Sequence, residues 1–222
     1  MLYKPSGAGK PVAETFDAEA WIARKAVVGE ALGRGTTWIV RDGARHLVLR
    51  HYRRGGLVAR LSPDAYFWRG EDATRPFREL RLLDAMHAAG LPVPPPIAAC
   101  YRRQGLFYRG DIITAFLPGT ESLAQRMRRG QVDARIWQAV GHCLRRFRDF
   151  GVFHADLNAH NILLAGEQGV FVIDFDRGDL RAPGLWRDAN LVRLRRSIEK
   201  IGDALGRPFD EAGWRMLLEA CV

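Results

Sequence analysis

The hydrophobic spacing of this chain changes at Pro118-Gly119, which limits it to folds built from a strand-rich half followed by a helix-rich half. Before that point, Glu30 to Val40 and His46 to Tyr52 read as short strands, separated by the turn residues Arg41-Asp42-Gly43. A helical stretch follows Pro76, with Phe77, Leu80, Leu83 and Met86 at three-residue spacing, and stops at Gly90. Leu91-Pro92-Val93-Pro94-Pro95-Pro96 cannot continue a helix and is expected to be an extended connector. Ile97 to Tyr101 and Gly110 to Leu117 read as two further strands. After Pro118-Gly119, the residues Ile136, Val140, Leu144 and Phe147 define one buried helical face, with Arg145, Arg146 and Arg148 mostly off it. Val170-Phe171-Val172-Ile173 reads as a short apolar strand. Helical spacing returns at Leu191, Leu194, Ile198, Ile201 and Leu205, then at Trp214, Leu217 and Leu218. The expected class is α+β, with an N-terminal lobe over 1–118 and a C-terminal helical lobe over 119–222.

Composition narrows the function classes. Hydrophobic residues make up 47% and charged residues 27%, the balance of a globular rather than a disordered chain. No run approaches the roughly 20 apolar residues of a membrane-spanning helix, and the first twenty residues lack an apolar signal core, so no secretory leader is expected. Cys100, Cys143 and Cys221 form no metal-ligand spacing and are expected to be small hydrophobes in a reducing compartment. His46, His51, His87 and His142 show no ligand spacing either and are assigned no chemistry. The formal net charge is +9, almost all of it from arginine, which favours an anionic partner; genomic base composition is a second source of such a bias. Basic strands interleaved with aromatics are absent, so no nucleic acid is expected as a partner.

The most informative segment is His154-Ala155-Asp156-Leu157, with Asn161 five residues past Asp156 and Asp174-Phe175 after the apolar run at Ile173. A lone Asp and Asn in a loop usually make only a solvated turn. Here the order of helix, polar loop, short apolar run and a strand ending in Asp resembles the protein-kinase-like superfamily, whose catalytic loop reads H-x-D-L-x-x-x-N and whose metal motif reads D-F-G. That resemblance implies a two-lobed fold with ATP between the lobes and phosphoryl transfer governed by placement and charge neutralisation. It makes Asp156 the general base, and Asn161 and Asp174 the oxygen ligands of Mg²⁺. His154 is expected to orient the loop by holding backbone carbonyls, and His160 to be a surface residue.

Gly33-Arg34-Gly35 looks like a degenerate phosphate loop, with Trp38 where a third glycine usually stands, so Gly33 and Gly35 are nucleotide-binding candidates. The superfamily's phosphate-binding lysine has no counterpart, since no lysine lies between Lys25 and Lys200; Arg50 occupies the matching place. Arginine is permanently charged and binds phosphate with two prongs, so it can meet the same electrostatic need. Glu79 is the candidate partner that orients Arg50, against local helical pairing with Arg75 or Arg78.

No A-P-E anchor follows Asp174, because Ala182-Pro183 leads into Gly184, and a small hydroxylated acceptor is expected rather than a protein. Leu49-Arg50-His51-Tyr52-Arg53-Arg54-Gly55-Gly56, together with the loop from His154 to Asn161 and Asp174-Phe175-Asp176-Arg177-Gly178, is similar to the 3-deoxy-D-manno-octulosonic acid (Kdo) kinase family. That resemblance implies ATP-dependent phosphorylation of the Kdo 4-hydroxyl on a lipid A precursor, at the cytoplasmic face of a bacterial inner membrane, during lipopolysaccharide core assembly. It also implies peripheral contact with an anionic leaflet, for which Arg53, Arg54, Arg60, Arg126, Arg128 and Arg129 are candidates. The alternatives are a heptose- or aminoglycoside-type kinase and a non-catalytic kinase-like binding module.

Overall fold

The computed structural model describes residues 2–3, 12–31, 37–53, 64–166 and 169–222. The chain divides into two compact units, Met1–Ala85 with Pro94–Phe116, and Met86–Val93 with Leu117–Val222.

In the first unit, β1 (Leu2–Tyr3), a 3-10 turn (Ala13–Phe16) and α1 (Ala18–Ala23) precede β2 (Val27–Ala31), β3 (Thr37–Asp42), β4 (Arg45–His51) and β5 (Tyr66–Phe67). Helix α2 (Arg75–Ala88) then leads to β6 (Pro96–Gln104) and β7 (Phe107–Ala115). The strands form one antiparallel sheet in the order β1-β6-β7-β4-β3-β2, with β5 added to β7. Glu30 to Val40, expected as one strand, is instead shared between β2 and β3, which pair with each other. Strands β6 and β7 extend well past the apolar runs that announced them and close through Gly105-Leu106.

Alternation along the strands separates two faces. Leu47, Leu49, Ala98, Cys100 and Ile113 pack with Phe16, Trp21, Ala26 and Val40 on one face. Helix α2 covers the other with Phe77, Leu80 and Leu83, and these three and Met86 are buried as their spacing predicts. Phe77 meets Tyr101 edge-on at 5.3 Å. The helix starts at Arg75, so Pro76 lies in its first turn, where a missing N–H costs nothing. A side chain at Gly110 would collide with Pro76 at 2.6 Å, which is how closely α2 approaches β7.

The second unit contains β8 (Thr120–Ser122), α3 (Leu123–Arg129), α4 (Ala134–Phe150), β9 (Val152–Phe153), β10 (Ile162–Ala165), β11 (Gly169–Val172), β12 (Asp179–Leu180), α5 (Trp186–Ala204) and α6 (Glu211–Cys221). Ile136, Trp137, Val140, Cys143, Leu144 and Phe147 form the buried face of α4. The Asp133 carboxylate caps that helix by accepting from the Ile136 N–H at 3.0 Å. Asp210 caps α6 and also accepts from the Trp137 indole N–H at 2.9 Å, tying the two helices together. Strands β8, β10 and β11 form a small sheet, and β9 pairs with β12. Among the described residues no helix is long and apolar enough to cross a membrane.

Candidate active site

Helix α4 ends at Gly151, whose φ of 89° suits a residue without a side chain, and the chain turns directly into β9. The loop 154–161 therefore runs between β9, which pairs with β12, and β10, which pairs with β8 and β11. It is also pinned from outside: the Ala159 carbonyl accepts from the Ala124 N–H of α3 at 3.0 Å, and the Ala159 N–H donates to Ser197 Oγ of α5 at 3.1 Å.

Four hydrogen bonds close a ring through this loop. His154 Nε2–H donates to the Ile173 carbonyl at 3.0 Å, and His154 Nδ1 accepts from the Asp156 N–H at 3.1 Å. The Asp156 carbonyl accepts from Asn161 Nδ2 at 2.9 Å, and the Asn161 carbonyl accepts from the Ile173 N–H at 3.0 Å. The backbones that carry Asp156, Asn161 and Asp174 are thus held in one frame, so the structure brings these three predicted residues together. The expected orienting role of His154 takes this form: the ring holds one carbonyl and one N–H.

Each side chain is left with a definite capability. Asp156 is exposed and both of its backbone groups are engaged, so its backbone is held while its carboxylate is accessible. Asn161 is buried and spends its amide N–H on Asp156, which leaves Oδ1 as an oxygen donor. Asp174 adopts φ +64°, a left-handed conformation that Asp tolerates better than most residues and that bends the chain at the end of β11. Phe175 beside it is buried between Phe147, at 5.8 Å, and the His154 ring, at 4.8 Å.

Burial pushes the His154 pKa down, against the opposing pull of the Ile173 carbonyl and of Asp174 and Asp156. The imidazole is therefore neutral, as its bonding requires. Burial also lowers the pKa of His160, with the Arg128 guanidinium adding to the effect.

Sequence reasoning missed two supports of the loop. Asn158 Oδ1 accepts from the His160 and Asn161 N–H groups at 2.9 and 3.2 Å, while its Nδ2 donates to the Asp156 carbonyl at 3.0 Å. Asn190 of α5 is buried; with its amide oriented to suit both groups, it donates to the His154 carbonyl and accepts from the His154 N–H. The first could have been found from its place between Asp156 and Asn161. The second had no local signal.

In the first unit, Arg50 pairs with Glu79 of α2, which is only 3% exposed. The Tyr52 hydroxyl donates to the other oxygen of the same carboxylate, and the Arg50 guanidinium lies 5.0 Å from the Tyr52 ring centre. Glu79 is thus the partner of Arg50. His51 points to the opposite face, where Nδ1 meets Asp111 at 2.6 Å and Nε2 meets Asp64 at 3.2 Å. Arg102 holds Asp111 at 2.8 Å and Arg109 holds Asp64 at 2.9 Å. Hydrogen bonding to Asp111 raises the His51 pKa, outweighing burial. Gly33 and Gly35, like Arg54 and Arg60, lie outside the described residues.

The model of the lipopolysaccharide kinase (Kdo/WaaP) family matches residues 18–220. Proteins named 3-deoxy-D-manno-octulosonic acid kinase are similar over most of the chain. That of Stenotrophomonas maltophilia (strain R551-3) is 46% identical over 190 residues, covering 85% of this chain and 76% of the relative. That of Vibrio vulnificus (strain YJ016) is 39% identical over 200 residues, covering 90% and 85%. Among solved structures, WaaP in complex with acyl carrier protein aligns with a TM-score of 0.53 at 19% identity, covering 99% of this chain and 96% of that one. Spectinomycin phosphotransferase APH(9)-Ia, in complex with ADP and spectinomycin, aligns with a TM-score of 0.52 at 12% identity, covering 88% and 73%. These likenesses bear out the kinase-like α+β fold expected from the sequence. The chain is a phosphotransferase and belongs to the lipopolysaccharide kinase (Kdo/WaaP) family.

Proposed function

We propose that this protein transfers the γ-phosphoryl group of ATP to the 4-hydroxyl of a Kdo residue on a lipid A precursor. The step belongs to lipopolysaccharide core assembly at the cytoplasmic face of a bacterial inner membrane, which the protein contacts peripherally. The relatives' shared name and the family match support Kdo as the acceptor. The observation that carries the chemistry is the hydrogen-bonded ring of His154, Asp156, Asn161 and Ile173.

In this reading Asp156 accepts the proton of the acceptor hydroxyl as the new oxygen–phosphorus bond forms and the bond from the γ-phosphorus to the bridging oxygen of ADP breaks. The donor set of Asn161 Oδ1 and the Asp174 carboxylate fits a hard divalent cation that takes its other ligands from phosphate and water. When bound, Mg²⁺ supplies charge neutralisation to the triphosphate. Arg50, held by Glu79 and Tyr52, meets the α- and β-phosphates in place of the usual lysine, and Gly33 and Gly35 belong to the loop over them. His154 keeps Asp156 and Asp174 in register and transfers no proton.

The test is incubation of the purified protein with ATP, Mg²⁺ and a Kdo-bearing lipid A precursor, with the product located by phosphorus NMR. Phosphate at the Kdo 4-position is expected. Transfer to a heptose, or ATP turnover indifferent to Kdo, would contradict the assignment.

A further inference from the structure

The far end of the β6–β7 hairpin breaks the pattern that governs the rest of its sheet. Phe67 and Phe107 face each other across β5 and β7, with ring centres 6.2 Å apart, yet they are 52% and 48% exposed. The turn adds Leu106, 63% exposed, directly after Gly105 at φ +58°. Two-residue turns ordinarily carry Gly, Asn, Asp or Ser for solubility and backbone freedom, so a large aliphatic side chain there serves no turn geometry. Tyr66 and Tyr108, one residue along, are buried on the α2 side and pack with the half-buried Trp68 and Tyr101, so the hairpin end is built on a packed aromatic cluster.

The charge at the tip itself is basic, with the carboxylates of Asp64, Glu71 and Asp111 set at its base. Ala65 to Gly70 and Tyr101 to Gly110 contain four arginines and no acidic residue. Arg69 is exposed, and Arg103 lies 5.0 Å over the Trp68 ring and bonds to the Gly105 carbonyl. Arg102 and Arg109 share the face of Phe107, and each remains about half exposed while paired inward to Asp111 and Asp64. An apolar wedge with an arginine collar matches a boundary between acyl chains and anionic headgroups. A second copy of the chain is a poorer occupant, because a two-fold contact would set the collar against itself.

We propose that Phe67, Leu106 and Phe107 insert at the headgroup boundary of an anionic bilayer, while Arg69, Arg102, Arg103 and Arg109 meet lipid phosphates. The inference rests on the reading of a lipid-borne acceptor for its purpose, but vesicle binding needs no turnover and tests it separately. Purified full-length protein is sedimented with vesicles of phosphatidylcholine alone or mixed with phosphatidylglycerol. Salt-sensitive binding to the mixed vesicles is expected. Leu106→Ser, and separately Phe67→Ser with Phe107→Ser, should weaken it about tenfold or more. Arg69→Gln with Arg103→Gln should remove most of the preference for phosphatidylglycerol. Phosphoryl transfer to a water-soluble Kdo acceptor should be unchanged in Leu106→Ser, which alters only an exposed turn residue. Binding by Leu106→Ser and the Phe67/Phe107 pair equal to that of the parent would overturn the proposal. So would a parent dimer that Leu106→Ser converts to monomer. Vesicle binding that responds to these substitutions, in a protein that ignores Kdo, would uphold the docking surface and remove the Kdo assignment.

Discussion

The Nε2–H of His154 donates to the carbonyl of Ile173, the residue before Asp174, at 3.0 Å. The other nitrogen of the same ring accepts the N–H of Asp156 at 3.1 Å. One neutral imidazole therefore sets the spacing between the residue assigned as base and the residue assigned to the metal. His154→Ala would leave the part-buried Ile173 carbonyl and Asp156 N–H without this partner, at about 1 kcal/mol each. The expected outcome is a folded but less stable protein whose kcat falls about a hundredfold or more, more than its KM for ATP rises. Steady-state kinetics with thermal unfolding of the variant checks both. Unchanged kcat would show that Asp156 and Asp174 hold their places without the ring.

Two histidines give opposite pH limbs. The His154 pKa is depressed, so the unfolded state takes up the proton first as pH drops below about 6.5, and stability falls through the window beneath that value. The His51 pKa is raised, so its contribution is fully present below about 6.5 and is lost as pH rises through its folded value. Urea unfolding across pH should show loss on both sides, and His51→Gln should flatten the alkaline limb while leaving the acid limb. An unaltered alkaline limb would remove His51 as its source.

Arg50 depends on Glu79 for its position. Glu79→Ala strips a buried ion pair of one partner and is expected to cost about 3 kcal/mol or more, and to raise the KM for ATP about tenfold. Tyr52→Phe removes only the hydroxyl and should have a smaller effect on both. Arg50→Lys, which restores the usual superfamily residue, is expected to weaken nucleotide binding because one ammonium cannot reproduce the guanidinium's flat contact with Tyr52 and its bond to Glu79. Titration with a fluorescent ATP analogue measures all three.

What the sequence made legible followed the range of the interaction. The His154-to-Asn161 loop and Asp174 are short-range patterns, and the α2 and α4 faces repeat within a few turns, so spacing alone found them. The true lengths of β6 and β7 were hidden because Arg102, Arg103, Gln104 and Arg109 occupy outward positions where no buried alternation is needed. The partners of His51 lie 13 and 60 residues away, and Asp210 reaches Trp137 across 73 residues. Nothing local marks such pairs. The alternation in Leu49-Arg50-His51-Tyr52 makes sense only once Arg50 and Tyr52 are seen on Glu79 and His51 on the other face.

Close packing in the second unit can be tested at one glycine. A side chain at Gly141 of α4 would collide with the Leu217 carbonyl and meet Ala220 at 2.7 Å on α6. Gly141→Ala gains helix propensity of about 1 kcal/mol but forces α6 away, and a net loss of about 2 kcal/mol is expected from denaturant unfolding. Cys143 and Cys221 lie in the same region, and with Cys100 they are buried. Burial pushes the thiols of Cys100 and Cys143 up to about 12 and raises that of Cys221. A thiol reagent should therefore label none of the three until the chain unfolds, and rapid labelling of the native protein would contradict their burial.

The most direct test of the central claim is Asp156→Asn assayed beside Asp174→Ala. Asp156→Asn should bind nucleotide with Mg²⁺ as the parent does while phosphoryl transfer to the Kdo acceptor falls about 10²–10⁴-fold. Asp174→Ala should lose the Mg²⁺-dependent part of nucleotide binding itself. Transfer by Asp156→Asn at close to the parent rate would contradict the account.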